Sequence, residues 1–282
     1  MILQGQGGLQ DDWVDLVQLH PAKLWHSIID FLYKTLVIVE REVRKLRHEP
    51  TELIIRAVQP ALWMLIFGQV FNRVRAIPTG GFRYLDFMAP GILAQSVMFI
   101  AIFYAIAIIW ERDLGILQKF LATPTPRTAL VLGNALSSGV RGLLQAVIVY
   151  ILALLLDVKI NWHISALVGV LTVVLLGATC FSAFSLIIAC LVKTRERFMG
   201  IGQLLTMPLF FASNAIYPIS IMPGWLQVIA RINPLSYEVD ALRALMLAGG
   251  TSSFGLGIDL VVLLVVAALM VLIGALLYPT VI

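Results

Sequence analysis

The chain has 282 residues, 60% of them hydrophobic and only 13% charged, with a mean hydropathy of +0.94. A water-soluble domain is about half apolar and about a quarter charged, so one water-facing globule is excluded and lipid is the solvent for most of this chain. The net charge of +4 includes no basic cluster in a soluble domain, which argues against nucleic acid and for loops that face anionic lipid.

Residues 1–22 lack a basic stretch followed by an apolar one, so they read as a cytoplasmic tail and not as a signal peptide. In 23–49, Trp25, Ile28, Leu32, Leu36, Val39, Val43 and Leu46 recur at steps of three and four and form one apolar stripe. Arg41, Arg44, Lys45 and Arg47 crowd the second half of this helix. Charge interrupts its apolar residues, so it is expected to lie in the membrane interface. Too few residues remain outside the membrane for it to pack into a cytoplasmic domain.

From residue 50 to 282 the pattern is that of a transmembrane domain with six spans, at about 53–71, 88–109, 128–156, 162–192, 198–216 and 258–278. The expected class is all-α integral membrane. Pro60 interrupts the first run, where a kink with its freed carbonyl satisfied by a neighbouring helix is expected. Lys and Arg concentrate in the N-terminal segment through Arg56 and in the loops at 110–127 and 193–197. Only Arg73, Arg75, Arg83, Lys159, Arg231 and Arg243 fall in the other connections. The richer side faces the cytoplasm, so both termini are expected there, with the chain multi-pass in the plasma (inner) membrane.

The connection at 217–257 is mostly apolar but crowded with Pro218, Pro223, Gly224, Pro234, Gly249 and Gly250. Two short helices fit, 223–232 and 236–247, the second with Pro234 as its start signal. They read as half-helices that enter the membrane and return, or else as an outer cap.

No G-x-x-x-x-G-K-[ST] loop, H-E-x-x-H, C-x-x-C or G-x-S-x-G occurs. His20, His26, His48 and His163 form no cluster. Cys180 and Cys190, ten residues apart on one helix, point in different directions and read as packing residues. No catalytic or metal-binding residues are expected. Asp157 and Asp259 fall near span ends, where carboxylates can meet water. Arg141 lies fourteen residues after Arg127, about 21 Å along a helix. It either faces a cavity or marks a third helix that begins well inside the cytoplasm.

Residues 110–127, WERDLGILQKFLATPTPR, form a polar island between two long apolar runs. Leu114, Leu117, Phe120 and Leu121 share a helical face. Glu111, Arg112, Asp113, Gln118 and Lys119 supply the polar part, and Pro124 and Pro126 end it. The alternative is a plain solvated loop.

This island resembles the segment after the second span in ABC-2 (type 2 exporter) permeases. Residues 207–247 resemble that family's signature before the last span. They carry Pro208, Ser213-Asn214, Tyr217-Pro218, Pro223-Gly224-Trp225-Leu226, Asn233-Pro234-Leu235-Ser236-Tyr237, and Asp240 with Arg243. YLDFMAPGIL at 84–93 matches the family's entry to the second span, and the likeness runs from about residue 35 to the end. Ser213-Asn214 stands where the family often has Ser-Gly. The daunorubicin-type drug exporter subfamily is the nearest in character.

The resemblance implies a permease subunit, not an enzyme. Two copies would pair with two copies of a separate ATP-binding subunit that holds ATP and magnesium, this chain binding no cofactor itself. It would export an amphipathic or hydrophobic drug or lipid, with lipid-linked polysaccharide or lipo-oligosaccharide as the alternative cargo. Helix 111–122 would be the coupling helix, with Glu111, Arg112, Asp113, Gly115, Leu117 and Phe120 at the ATPase. Helix 23–49 would be the connecting helix. Segment 217–247 would form an outer gate, the gate residues being Asn214, Tyr217, Pro218, Pro223, Trp225, Asn233, Pro234, Tyr237, Asp240 and Arg243. Arg141, Phe99 and Phe103 are cavity candidates. An intramembrane enzyme or a passive channel is the remote alternative. Nothing resembles a catalytic cluster for the first or a repeated polar lining for the second.

Overall fold

The computed structural model describes Glu40, residues 50–74, 77–106, 109–110, Leu114, 127–192 and 194–277. The segment 23–49, Glu40 apart, and the expected coupling helix 111–122, Leu114 apart, lie outside them. The described chain is helical. It consists of α1 (Pro50–Leu62), a π-helical stretch (Trp63–Gly68), α2 (Gln69–Val74), α3 (Tyr84–Tyr104), α4 (Arg127–Leu155), α5 (Ile164–Leu191), α6 (Arg195–Phe211), α7 (Gly224–Ile232), α8 (Pro234–Met246) and α9 (Leu256–Leu277). Among the described residues there is no strand, and one isolated bridge pairs Ile160 with Leu247.

Among the described residues, four helices are long and apolar enough to cross a membrane: α3, residues Val131–Leu155 of α4, α5 and α9. The runs at 53–71 and 198–216 fold differently. The first is α1, the π stretch and α2 in unbroken succession. The second is α6, which stops at Phe211, where Ala212 leaves the regular helical region. Pro60 has no N–H, so the Arg56 carbonyl one turn earlier loses its helical donor. The side-chain amide of Gln145 on α4 donates to that carbonyl at 3.3 Å. A buried polar side chain on one helix thus repairs a proline on another, as an apolar surrounding requires.

α5 is the hub, packed against α3, α4, α8 and α9. α3 is the most enclosed of the four crossing helices, with 78% of its apolar window buried, against 22% for α9. The outward surface of α9 shows Val261, Leu264, Val265, Leu272 and Leu276, a face suited to acyl chains. Small residues set the closest approaches. At Gly91 of α3 a Cβ would collide with the Ala215 carbonyl, and at Gly177 of α5 it would collide with the Glu238 carboxyl. Both helices therefore present bare backbone to the segment that follows α6.

The loops gather into two groups. At one end, Arg83 ion-pairs with Asp86 at 3.0 Å and Asp157 at 3.5 Å. There Asn161 N donates to Met246 O at 2.8 Å and Ala248 N to Lys159 O at 2.9 Å. This draws the connections before α3, between α4 and α5, and after α8 into one polar layer. At the other end, the Arg195 guanidinium lies 3.5 Å over the Trp110 ring. The start of the island is thereby held against the start of α6.

Gly91→Ala should lower stability by about 1–3 kcal/mol, because the added methyl meets backbone that cannot swing aside. Gly200, with open space around its Cβ position, is the control. The check is the thermal unfolding midpoint in detergent, with a clear fall for Gly91→Ala and none for Gly200→Ala. Equal midpoints would refute the close contact.

Candidate functional site

The site is assembled by the segment between α6 and α9. Asn233 begins it. Its side-chain oxygen accepts from Leu235 N at 3.0 Å, which caps α8, and Pro234 at the first position needs no donor. The Asn233 amide donates to Leu209 O at 2.7 Å and Ala212 O at 3.0 Å. These are carbonyls at the end of α6 that have no helical partner. One side chain therefore starts α8, finishes α6 and fixes the angle between them. Two tyrosines do similar work: the Tyr217 hydroxyl donates to Phe211 O at 2.6 Å, and that of Tyr237 to Arg231 O at 2.6 Å.

One turn further along α8, Asp240 is fully buried. Its Oδ2 accepts from Ser252 Oγ at 2.9 Å, Ser253 N at 2.6 Å and Phe254 N at 3.0 Å. Its Oδ1 accepts from Asn214 Nδ2 at 3.4 Å and lies 3.9 Å from Arg243 Nη1. Arg243 donates to Asn214 O at 2.7 Å and Phe87 O at 3.4 Å, with its guanidinium 3.8 Å over the Phe87 ring. Burial pulls the Arg243 pKa down to about 10, against the opposing pull of Asp240, so the side chain is cationic at neutral pH. A buried charge without partners costs several kcal/mol. Here the partners come from α3, the 212–216 turn and the 251–254 loop, so satisfying the charges also joins those three pieces.

The structure brings together Asn214, Tyr217, Asn233, Pro234, Tyr237, Asp240 and Arg243 of the residues singled out in the sequence. Pro218 opens a short 3-10 turn, Ile219–Ile221, and Pro223 precedes α7. Trp225 is 67% exposed on α7 and joins none of these bonds. Phe99 and Phe103 form a tilted ring pair with centroids 6.1 Å apart. Arg141 is buried, its guanidinium 4.9 Å from the centre of the Tyr104 ring. This places it level with the last turn of α3. Glu111, Arg112, Asp113, Gly115, Leu117 and Phe120 lie outside the described residues.

Sequence reasoning missed four members. Ser252 bridges Asp240 and Asp259, with Oγ 2.8 Å from Asp259 Oδ2. Asp259 is fully buried, contrary to the expectation that it meets water, because the 251–255 loop folds over the first turn of α9. Asp157 does meet water, its side chain 99% exposed. Asp86 is buried beneath Arg83, a pair readable from its i,i+3 spacing. Glu238 is fully buried against Gly177, and neither carboxyl oxygen has a hydrogen-bond partner among the described residues. Nothing in its spacing from Asp240 signals that.

Asp240→Asn should speed hydrogen exchange at the Ser253 and Phe254 amides by about tenfold or more, since bonds to a charged acceptor contribute about 1.5–3 kcal/mol each. Exchange in α5 should stay unchanged. Equal protection of the 251–254 loop in variant and parent would show that Asp240 does not hold it.

Comparison with known proteins agrees with this plan. The ABC-2 type transporter family matches residues 33–247, a range that ends with α8. The chain is 29% identical to a protein named as a transport permease, ycf38, from Cyanophora paradoxa, over 76% of this chain and 74% of that one. It is 27% identical to the daunorubicin resistance ABC transporter permease protein DrrB1 of Streptomyces coeruleorubidus, over 78% of this chain and 76% of that one. It is also 27% identical to nodulation protein J of Rhizobium meliloti, over 63% and 68%. A family match over most of the chain, on a bundle of membrane-crossing helices, leads to one conclusion: the chain belongs to the ABC-2 type transporter family and is a transmembrane permease of an ABC transporter.

Proposed function

We propose that this permease works as two copies with two copies of a separate ATP-binding subunit, and that it exports an amphipathic or hydrophobic molecule, drug or lipid-like, from the cytoplasm or inner leaflet. The observation that carries this reading is the family match over residues 33–247 in a chain without a phosphate-binding loop. A chain of that kind must receive the work of ATP through a contact. ATP and magnesium belong to the partner, and no cofactor is assigned to this chain.

The contact falls to helix 111–122, the coupling helix, with helix 23–49 as the connecting helix on the same surface. The Trp110–Arg195 stack supports this by grouping the island with the 194–197 turn, two segments that the basic-residue bias puts in the cytoplasm. In this reading α1 with α2, and α6, complete six crossings of the plasma membrane with both termini inside, and α7 with α8 form the outer gate. The name of the Streptomyces relative supports a drug-like cargo. So does an apolar cleft of about 320 Å3 between α4 and α5, lined by Leu143, Val147, Tyr150, Leu154 and Trp162 among others. Such a lining suits a hydrophobic ligand.

Reconstitution of the full chain with its ATP-binding subunit tests the reading. Glu111→Ala and Arg112→Ala should each lower substrate-stimulated ATP hydrolysis by about tenfold, the loss of roughly 1.4 kcal/mol of coupling, while equilibrium binding of the exported amphiphile stays within about twofold. Variants that lose substrate binding but keep stimulated hydrolysis would overturn the coupling assignment.

A further inference from the structure

The loop before α3, the Ile219–Ile221 turn, α7, α8 and the 251–254 loop surround a half-open cavity of about 450 Å3. Two cations line it, Arg231 and Arg243, and among the described residues no carboxylate does. Thr79, Ser220, Gln227 and Ser253 add hydroxyl and amide groups. Arg243 is the preorganised member. It is 7% exposed, and its Nη2 is held by the Asn214 and Phe87 carbonyls. An oxyanion is the acceptor that a guanidinium group fits best. Asp240 lies behind it at 3.9 Å, but its Oδ2 is already taken by Ser252, Ser253 and Phe254. Arg231 adds a second positive charge, with no ion pair to a carboxylate among the described residues.

α7 indicates what carries the anion. Gln227 and Arg231, one turn apart, line the cavity. Trp225, Val228, Ile229 and Ile232 are exposed on the same helix, away from that polar pair. A boundary between a cationic pocket and an apolar helix face suits a molecule with an anionic head and a hydrophobic body. The volume falls within the range of small-molecule pockets, about 300–1,000 Å3, and exceeds what a bare ion needs.

We propose that this cavity binds the anionic, phosphate-class headgroup of an amphiphile, with Arg231 and Arg243 facing the charged oxygens and the hydroxyl side chains on the neutral part. That the headgroup is the cargo's, held at the exit, rests on the export reading above; binding of the anion itself does not.

The test uses the full chain purified in neutral detergent, without ATP or partner, titrated with dioctanoyl phosphatidate. Saturable binding is expected, weakened by about tenfold or more in Arg231→Gln and in Arg243→Lys, as loss of a charged hydrogen bond would give. Dioctanoylglycerol, which lacks the phosphate, should not compete. Displacement by inorganic phosphate would support the site with the phosphate group as the sufficient ligand. Failure of phosphate to displace would support it with the acyl body also required. Arg231 makes no buried side-chain bond in the described structure, so Arg231→Gln remains informative even if Arg243→Lys does not fold. Equal binding of dioctanoylglycerol, or phosphatidate binding unchanged in Arg231→Gln, would overturn the proposal. Because no hydrolysis is measured, this failure and a failure of ATP-driven export are separate results.

Discussion

Asp240 and Arg243 carry opposite charges into a place almost without water, and such a place tolerates charge only where hydrogen bonds replace the lost solvent. The replacement here is made by distant parts of the chain: the Asn214 side chain and carbonyl, the Phe87 carbonyl, the Ser252 hydroxyl and two amides of the 251–254 loop. Two charged side chains on one short helix therefore recruit α3, the turn after α6 and the loop before α9. Apolar packing alone would leave α8 free to slide, because dispersion contacts are not directional. The charged bonds fix its register.

Close approach is the other half of the arrangement. Donors on one helix reach acceptors on another only if the elements come near, and Gly91 of α3 and Gly177 of α5 are two places where they do. At each, a Cβ would strike an atom of the opposing segment. In lipid the hydrophobic effect gives little drive for helices to associate, so small residues and interhelical hydrogen bonds supply the attraction. The repair of Pro60 by Gln145 follows the same rule, as does the bond from Ser138 Oγ to Ala178 O at 3.4 Å between α4 and α5.

Much of the plan was legible in the residues. Long apolar runs pointed to lipid-facing helices, and Pro234 after Asn233 marked the start of a short one. The gathering of Asn214, Asn233, Asp240 and Arg243 was suggested by motif likeness, since none of their spacings alone places them within reach across three elements. Asp259 was misread because a carboxylate at the start of an apolar run looks solvated until a loop is seen to cover it. Glu238 carried no signal, for an acid two residues from another reads as a solvated face. The count of crossings was hard to read for a related reason. α6 is apolar enough to extend the run to 216, but Ser213 and Asn214 turn their polar groups inward and end the helix.

Asp240 and Arg243 act as one unit that holds the segment after α6 to the bundle. A double-mutant cycle on Asp240→Asn and Arg243→Gln tests it most directly, with unfolding by SDS titration in mixed micelles as the readout. Either single change leaves a buried charge uncompensated, whereas the double change removes both. The double variant should lose less stability than the sum of the singles, by about 1 kcal/mol or more. Strict additivity would contradict it, and would mean that the two side chains sit near one another without depending on each other.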